Sequence, residues 1–208
     1  MELLLIRHAL PERVEGSSGP ADPGLTDAGR RQAELLAEYL ASERIDAVYT
    51  SPMRRAVETA APLGDRLGVA PAVVDEVAEY DRHSTDYVPI EELKAEGDPR
   101  FHDPGLLAGL DPPHVFAERV VGAVEQVVTE HPGGSAAVVC HGGVINAYLA
   151  SVLGLAVEPP GFFYPNYTSI HRVAATRTGE RSILAINETS HLRHTGLPVG
   201  LFDTARAR

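Results

Sequence analysis

Two short apolar runs, far apart in the chain and each ending in a histidine, constrain this sequence more than any other feature. The first is Leu3-Leu4-Leu5-Ile6, closed by Arg7-His8. The second is Ala136-Ala137-Val138-Val139-Cys140, closed by His141-Gly142-Gly143. Apolar runs of about four to eight residues suit strands covered on both faces, as in a parallel sheet between helices. Ligands of open α/β sheets bind beyond the carboxyl ends of the strands. If these two strands lie side by side and parallel, both imidazoles enter one crevice with the Arg7 guanidinium.

The rest of the pattern alternates. Residues 9–24, rich in Pro, Gly and Ser, read as a loop. Thr26 offers an N-cap and Asp27 a first-turn anion to a helix whose stripe is Ala33, Leu36, Ala37 and Leu40. Residues 45–50 predict a second strand. Ser51-Pro52 predicts a helix start, with Ser51 as N-cap, Met53, Val57, Ala60 and Ala61 facing inward, and Pro62 kinking or ending the helix. Val73-Val74 predicts a third strand. Periodicity weakens over residues 80–113, which read as a small inserted lid, helical around residues 90–95. A helix over 115–130 carries Phe116, Val120, Ala123, Val124 and Val127 on one side, and residues 144–153 form the next helix. Residues 168–174 and 182–186 predict a closing pair of strands, and the tail from Asn187 shows no element. Strands alternating with helices give an α/β class, a three-layer α/β/α sandwich around a mostly parallel sheet, in one domain over 1–208.

Arg55 lies one turn beyond Ser51, close to a helix N-terminus that favours anions. Two guanidiniums (Arg7, Arg55), two imidazoles (His8, His141) and a positive helix end describe a pocket for a tetrahedral dianion. Phosphate-monoester hydrolysis needs up to ~10²¹-fold acceleration, so it calls for several charge-assisted donors and a covalent step. An imidazole among arginines stays neutral and can be the nucleophile. Gly142, with no side chain, lets its backbone N–H approach an oxygen. Each motif alone is commoner as plain structure; their order and strand contexts together point to a site.

Arg7-His8-Ala9, Leu25-Thr26 with Gly29 and Gln32-Ala33, Ser51-Pro52-Met53-Arg54-Arg55-Ala56 with Thr59-Ala60, Glu79, and His141-Gly142-Gly143 together resemble the histidine phosphatase superfamily, the phosphoglycerate-mutase-like branch 1. The resemblance implies that family's sandwich, a phosphohistidine intermediate, and no metal or cofactor. It implies His8 as nucleophile, Arg7, Arg55 and His141 as phosphoryl ligands, and Glu79 as proton donor. Asp81 is the runner-up acid. Where the family carries Gly, Thr and Asn after its Arg-His, this chain has Ala9, Pro11 and Val14, and Arg13 or Ser17 stand near enough in sequence to supply the missing donors.

The expected function is metal-independent hydrolysis of a phosphomonoester. The alternatives are a phosphoglycerate mutase and a non-catalytic phospho-ligand module. The segment after Glu79 lacks the longer insertion of the mutase pattern, and the intact His8, Arg55, Glu79 and His141 speak against a silent module. A formal charge of -11 disfavours nucleic acid and anionic membranes as partners but not a small phosphate ester; the resemblance implies a small phosphorylated metabolite as partner, and a homodimer is an expectation from the family alone. Cys140 is the only cysteine, and no apolar run approaches the ~20 residues of a membrane span, so a cytoplasmic protein without a secretory signal is expected. His171 alternates with apolar neighbours and is expected on the outward side of a strand. His191 and His194 have no carboxylate or cysteine company, and no metal site is assigned.

Overall fold

Leu3, Leu4, Leu5 and Ile6 are wholly buried, and they divide by parity between two cores. Leu3 and Leu5 pack with Phe116, Val120, Val124, Val144 and Tyr148, whereas Leu4 and Ile6 pack with Leu36, Leu40, Ala56, Ala60 and Leu63. Successive strand side chains point to opposite faces, so this strand is a middle layer with helices on either side. The computed structural model describes residues 1–102, 112–156 and 161–201.

The elements are β1 (Glu2–Arg7), α1 (Asp27–Leu40), β2 (Ala47–Thr50), α2 (Arg54–Leu67), β3 (Ala72–Val73), α3 (Ile90–Glu96), α4 (Pro113–Glu130), β4 (Ser135–Cys140), α5 (Gly142–Leu153), β5 (Ile170–Ala175) and β6 (Arg181–Glu188), with short 3₁₀ turns between. One six-stranded sheet runs in the order β3-β2-β4-β1-β5-β6. The pairs β3–β2, β2–β4 and β4–β1 are parallel, and β5 and β6 continue antiparallel from β1. The expected three-layer sandwich with a mostly parallel sheet is therefore what forms. Because β4 returns between β1 and β2, the strand order reverses beside β1. That reversal opens a crevice at the carboxyl ends.

Local chemistry explains the helix starts. Thr26 caps α1 as expected, its hydroxyl accepting the Gly29 N–H at 2.9 Å, a contact worth about 1 kcal/mol. Ser51 does not cap α2. The helix begins at Arg54 with Met53 as N-cap, and Ser51 and Pro52 form the turn before it. The inward face is Arg55, Ala56, Thr59, Ala60, Leu63 and Gly64, while Val57 and Ala61 are exposed. The buried face is thus shifted by about one position from the one expected, and Arg55, placed in the pocket from the sequence, is part of it. Pro62 neither ends nor visibly interrupts the helix, which runs on to Leu67. Leu63, buried in the core over the sheet, offsets the roughly 3 kcal/mol cost of an interior proline.

The loop after β1 is anchored rather than loose: Pro11 bridges Leu25, and Val14 bridges Tyr87. The segment expected to form a lid carries α3 where a helix was expected, and its residues 103–111 lie outside the described residues. Past β6 the tail folds back over the sheet end, where Gln32 Nε2 donates to the Pro198 carbonyl and the Tyr167 N–H donates to that of Val199 at 2.9 Å. His171 is a correction: it is fully buried, edge-on to Phe163, and it accepts the Asn187 N–H at 3.2 Å. Phe163, in the loop before β5, packs against the apolar core and covers that face of β5. No helix among the described residues is long and apolar enough to cross a membrane.

Candidate active site

In the β1–β4 ladder Arg7 lies opposite Cys140, and the His8 N–H donates to the Cys140 carbonyl at 2.9 Å. Both histidines therefore leave the sheet at one level, with ring centroids 5.1 Å apart and almost no exposure.

The proton on His8 is placed by its neighbour. Nδ1 lies 2.8 Å from the Ala9 carbonyl, which can only accept, so Nδ1 carries the hydrogen and Nε2 keeps the lone pair. Burial, then Arg55 and Arg7, hold this imidazole well below its ordinary pKa. It is neutral and nucleophilic at physiological pH. His141 is also held well below its ordinary pKa, by burial first, then Arg55, with His8, Arg7 and Arg119 adding to it, and its Nε2 is 2.7 Å from the Ser51 hydroxyl. That hydroxyl accepts the Met53 N–H and retains a proton to give. Donated to Nε2, it leaves the His141 hydrogen on Nδ1, which is buried and has no partner among the described residues.

Arg55 is 1% exposed and is gripped on one side only. Its Nη2 donates to both oxygens of Asp81, at 2.7 and 3.0 Å, and its guanidinium lies 4.5 Å from the centroid of the Tyr87 ring. Nε and Nη1 have no partner among the described residues. Thr59 ties this helix to β1: its hydroxyl accepts the Ala9 N–H at 2.9 Å and donates to the Arg55 carbonyl at 2.7 Å.

Arg7 donates through Nη1 to the Pro165 carbonyl at 2.7 Å and leaves Nε unpartnered among the described residues. Its guanidinium lies over Tyr167 at 4.2 Å and Tyr164 at 4.9 Å, so aromatic faces replace some of the lost hydration. Thr168, which follows, is held at φ 51°, a left-handed conformation costly for a β-branched residue. His191 fastens it from the tail, 2.8 Å from its hydroxyl.

Glu79 sits at the mouth of the same crevice, partly buried. Oε2 accepts the Gly143 N–H at 2.7 Å and Oε1 accepts the Tyr80 N–H at 3.0 Å. Tyr80 stacks on Phe116 with centroids 3.5 Å apart, which fixes the segment. Burial, then the Asp81 charge, push the Glu79 carboxyl up, against the pull of the two N–H bonds and Arg55. Such a group carries a proton at higher pH than an ordinary glutamate.

The structure thus brings Arg7, His8, Arg55, His141 and Glu79 together. Gly142 opens α5 beside them. It does not bring Arg13 there: that guanidinium is held by Glu15, Glu92 and Glu96. Ser17 is engaged elsewhere, its N–H donating to the Thr85 carbonyl and its hydroxyl accepting the Gly19 N–H. Asp81, weighed as an acid, has both oxygens on Arg55. Tyr87 was expected only as one of the aromatic residues of the segment after Glu79, and the sequence reading passed over Tyr164 and Tyr167. The available signal was aromatic spacing in loops abutting the site strands, Tyr164-Pro165-Asn166-Tyr167 above all.

The description "Histidine phosphatase superfamily (branch 1)" matches residues 3–189. Phosphoserine phosphatase 1 of Hydrogenobacter thermophilus is 28% identical over 204 residues, covering 92% of this chain and 94% of its own. Glucosyl-3-phosphoglycerate phosphatase of Mycolicibacterium vanbaalenii is 31% identical over 176 residues, 75% of this chain and 76% of its own. A mycobacterial glucosyl-3-phosphoglycerate phosphatase in complex with VO3 has the same fold, with a TM-score of 0.73 at 23% identity, covering 90% of this chain and 99% of that one. The phosphatase class expected from the sequence is the class of these relatives. With that match running through nearly all of the motifs gathered at the sheet edge, the chain belongs to the histidine phosphatase superfamily, branch 1.

Proposed function

We propose that this protein hydrolyses a small phosphomonoester through a phosphohistidine on His8. The observation that carries the reading is a set of buried donors beside the nucleophile that have no partner among the described residues: Arg7 Nε, Arg55 Nε and Nη1, and His141 Nδ1. Buried polar groups are almost always satisfied, so such a set fits a ligand rich in acceptors and negative charge. A phosphoryl group is that ligand.

In the first step Nε2 of His8 attacks phosphorus in line as the ester P–O bond breaks. Arg7, Arg55 and His141 hold the non-bridging oxygens, and Glu79 gives its proton to the departing alkoxide. In the second, ionised Glu79 takes a proton from water, the oxygen attacks phosphorus, the N–P bond breaks, and His8 regains its lone pair as phosphate leaves. The positive charge needed comes from this chain's arginines, so the scheme assigns no metal and no cofactor. Hydrolysis is favoured over mutase chemistry because relatives matched over most of their length are named phosphatases. Their named substrates, phosphoserine and glucosyl-3-phosphoglycerate, support a small organic phosphate as the substrate class, met in the cytoplasm, where Cys140 stays reduced.

The test is an alkaline quench during turnover of p-nitrophenyl phosphate, followed by intact mass. Wild type gains one phosphoryl group on His8, and His8→Ala neither gains it nor turns over. Undiminished turnover by His8→Ala overturns the mechanism.

A further inference from the structure

One acceptor stands among the unpartnered donors of the crevice. Glu91, in the lid helix α3, has one buried oxygen, Oε1, with no hydrogen-bond partner among the described residues. Its other oxygen, Oε2, accepts the Tyr164 hydroxyl at 3.1 Å. The same Tyr164 ring lies under the Arg7 guanidinium at 4.9 Å, so the carboxylate stands one aromatic ring beyond a phosphoryl-binding arginine. Tyr167 adds a second unsatisfied group: it is fully buried, its ring is 6.0 Å from that of His8, and its hydroxyl has no partner among the described residues. The charge of Glu91 is felt by Arg7, Tyr87, Tyr164 and Tyr167 together, which puts it inside the wall of this crevice.

A carboxylate there is unfavourable for a substrate whose leaving group is anionic or apolar. It would repel the first and stay desolvated and unpaired beside the second. A leaving group with a cationic donor removes both costs. We infer that Glu91 is a specificity-determining residue of the phosphatase site, accepting through Oε1 from an ammonium carried by the alcohol portion of the substrate. The inference rests on the phosphatase reading above and adds the chemistry of the leaving group to it. An amino-alcohol phosphate then meets donors at its phosphoryl end and an acceptor at its amine end.

Three phosphates of nearly equal size separate the cases: 2-aminoethyl, 2-hydroxyethyl and propyl phosphate, assayed by phosphate release with p-nitrophenyl phosphate alongside. Wild type should favour 2-aminoethyl over propyl phosphate in kcat/KM by about 10-fold or more, the scale of one hydrogen bond to a charged group. In Glu91→Gln, which keeps an acceptor for Tyr164, that ratio should fall to within about threefold of one. The wild-type ratio is readable without any variant. A ratio near one in wild type, or one unchanged in Glu91→Gln, overturns the role of Glu91 and leaves the phosphatase reading standing. Equal preference for 2-hydroxyethyl and 2-aminoethyl phosphate overturns recognition of charge. A wild type inert toward all four esters overturns both readings.

Discussion

Glu79 Oε2 accepts the Gly143 N–H at 2.7 Å, and a Cβ built on Gly143 would fall 2.3 Å from the other oxygen of the same carboxylate. The second glycine of His141-Gly142-Gly143 is thus the seat of the proposed acid. Its amide orients the carboxylate, and its missing side chain admits it.

Gly143→Ala should therefore displace Glu79 and lower kcat on an alkyl phosphate by about 100-fold, the cost of misplacing a catalytic group by about an ångström. The added methyl would also meet the Tyr80 ring at 2.6 Å, so the acid cannot simply slide aside. At Gly142 a Cβ meets nothing within 4 Å, and Gly142→Ala should change thermal stability by less than about 0.5 kcal/mol. Steady-state kinetics and melting curves on the two variants decide the matter; a fully active Gly143→Ala would refute the seating.

Glu79→Gln separates proton donation from phosphoryl binding. An alkoxide needs a proton to leave and a p-nitrophenolate does not, so the loss depends on the ester. On an alkyl phosphate kcat/KM should fall by about 10²–10⁴-fold, and on p-nitrophenyl phosphate by less than about tenfold. Equal losses on both esters would remove Glu79 from the donor role and return it to orientation alone.

Asp81 acts through its neighbours. It anchors Arg55 through Nη2, aiming the free Nε and Nη1 edge inward, and its charge raises the Glu79 carboxyl. Removing that charge in Asp81→Asn lets Glu79 lose its proton at lower pH, so the basic limb of kcat against pH for an alkyl phosphate moves toward acid. KM should rise as Arg55 loses its anchor. An unmoved limb, or one moved toward base, would contradict the coupling.

Much of this was legible before the coordinates because the signals were local. Two apolar runs ending in histidine, taken as adjacent parallel strands, put His8 and His141 at one level, and the β1–β4 ladder has that pairing. The cap at Thr26 is a single side chain meeting a single N–H. What could not be read depends on rotation and on distant partners. Ser51-Pro52 resembles a helix start, but the helix begins at Arg54, and Val57, expected inside, faces out. Arg13 lies close to His8 in sequence, yet Glu92 and Glu96 of α3 hold it, and no feature of residues 9–24 announces those partners. Tyr164 and Tyr167 reach Arg7 from a loop over 150 residues away, on a backbone bent by a left-handed Thr168. His171 shows the limit of alternation, because it shares a face of β5 with the buried Val173 and Ala175 under Phe163, while the polar contacts of the strand are made by Arg172 on the other face.

The buried histidines give the fold an acid limit. Burial holds His171 down to about 3 and His191 down to about 4, the latter despite Glu188 beside it, against about 6.5 in an unfolded chain. Between those values the unfolded state binds protons that the folded state refuses, so stability is complete above about pH 6.5 and falls as the pH drops toward 3. At pH 5 each of these two histidines costs about 2 kcal/mol relative to neutral pH, and His8 and His141, also lowered, act in the same direction. Urea unfolding at pH 7.5 and pH 5 should show that loss. In His171→Gln, whatever its own stability, the difference between the two pH values should shrink by about 2 kcal/mol, one histidine's share. The Gln cannot titrate, and the remaining three histidines still can. An undiminished difference would mean that His171 takes up its proton in the folded protein, inside a wall formed by Phe163, Ser169 and Asn187 that offers it no carboxylate.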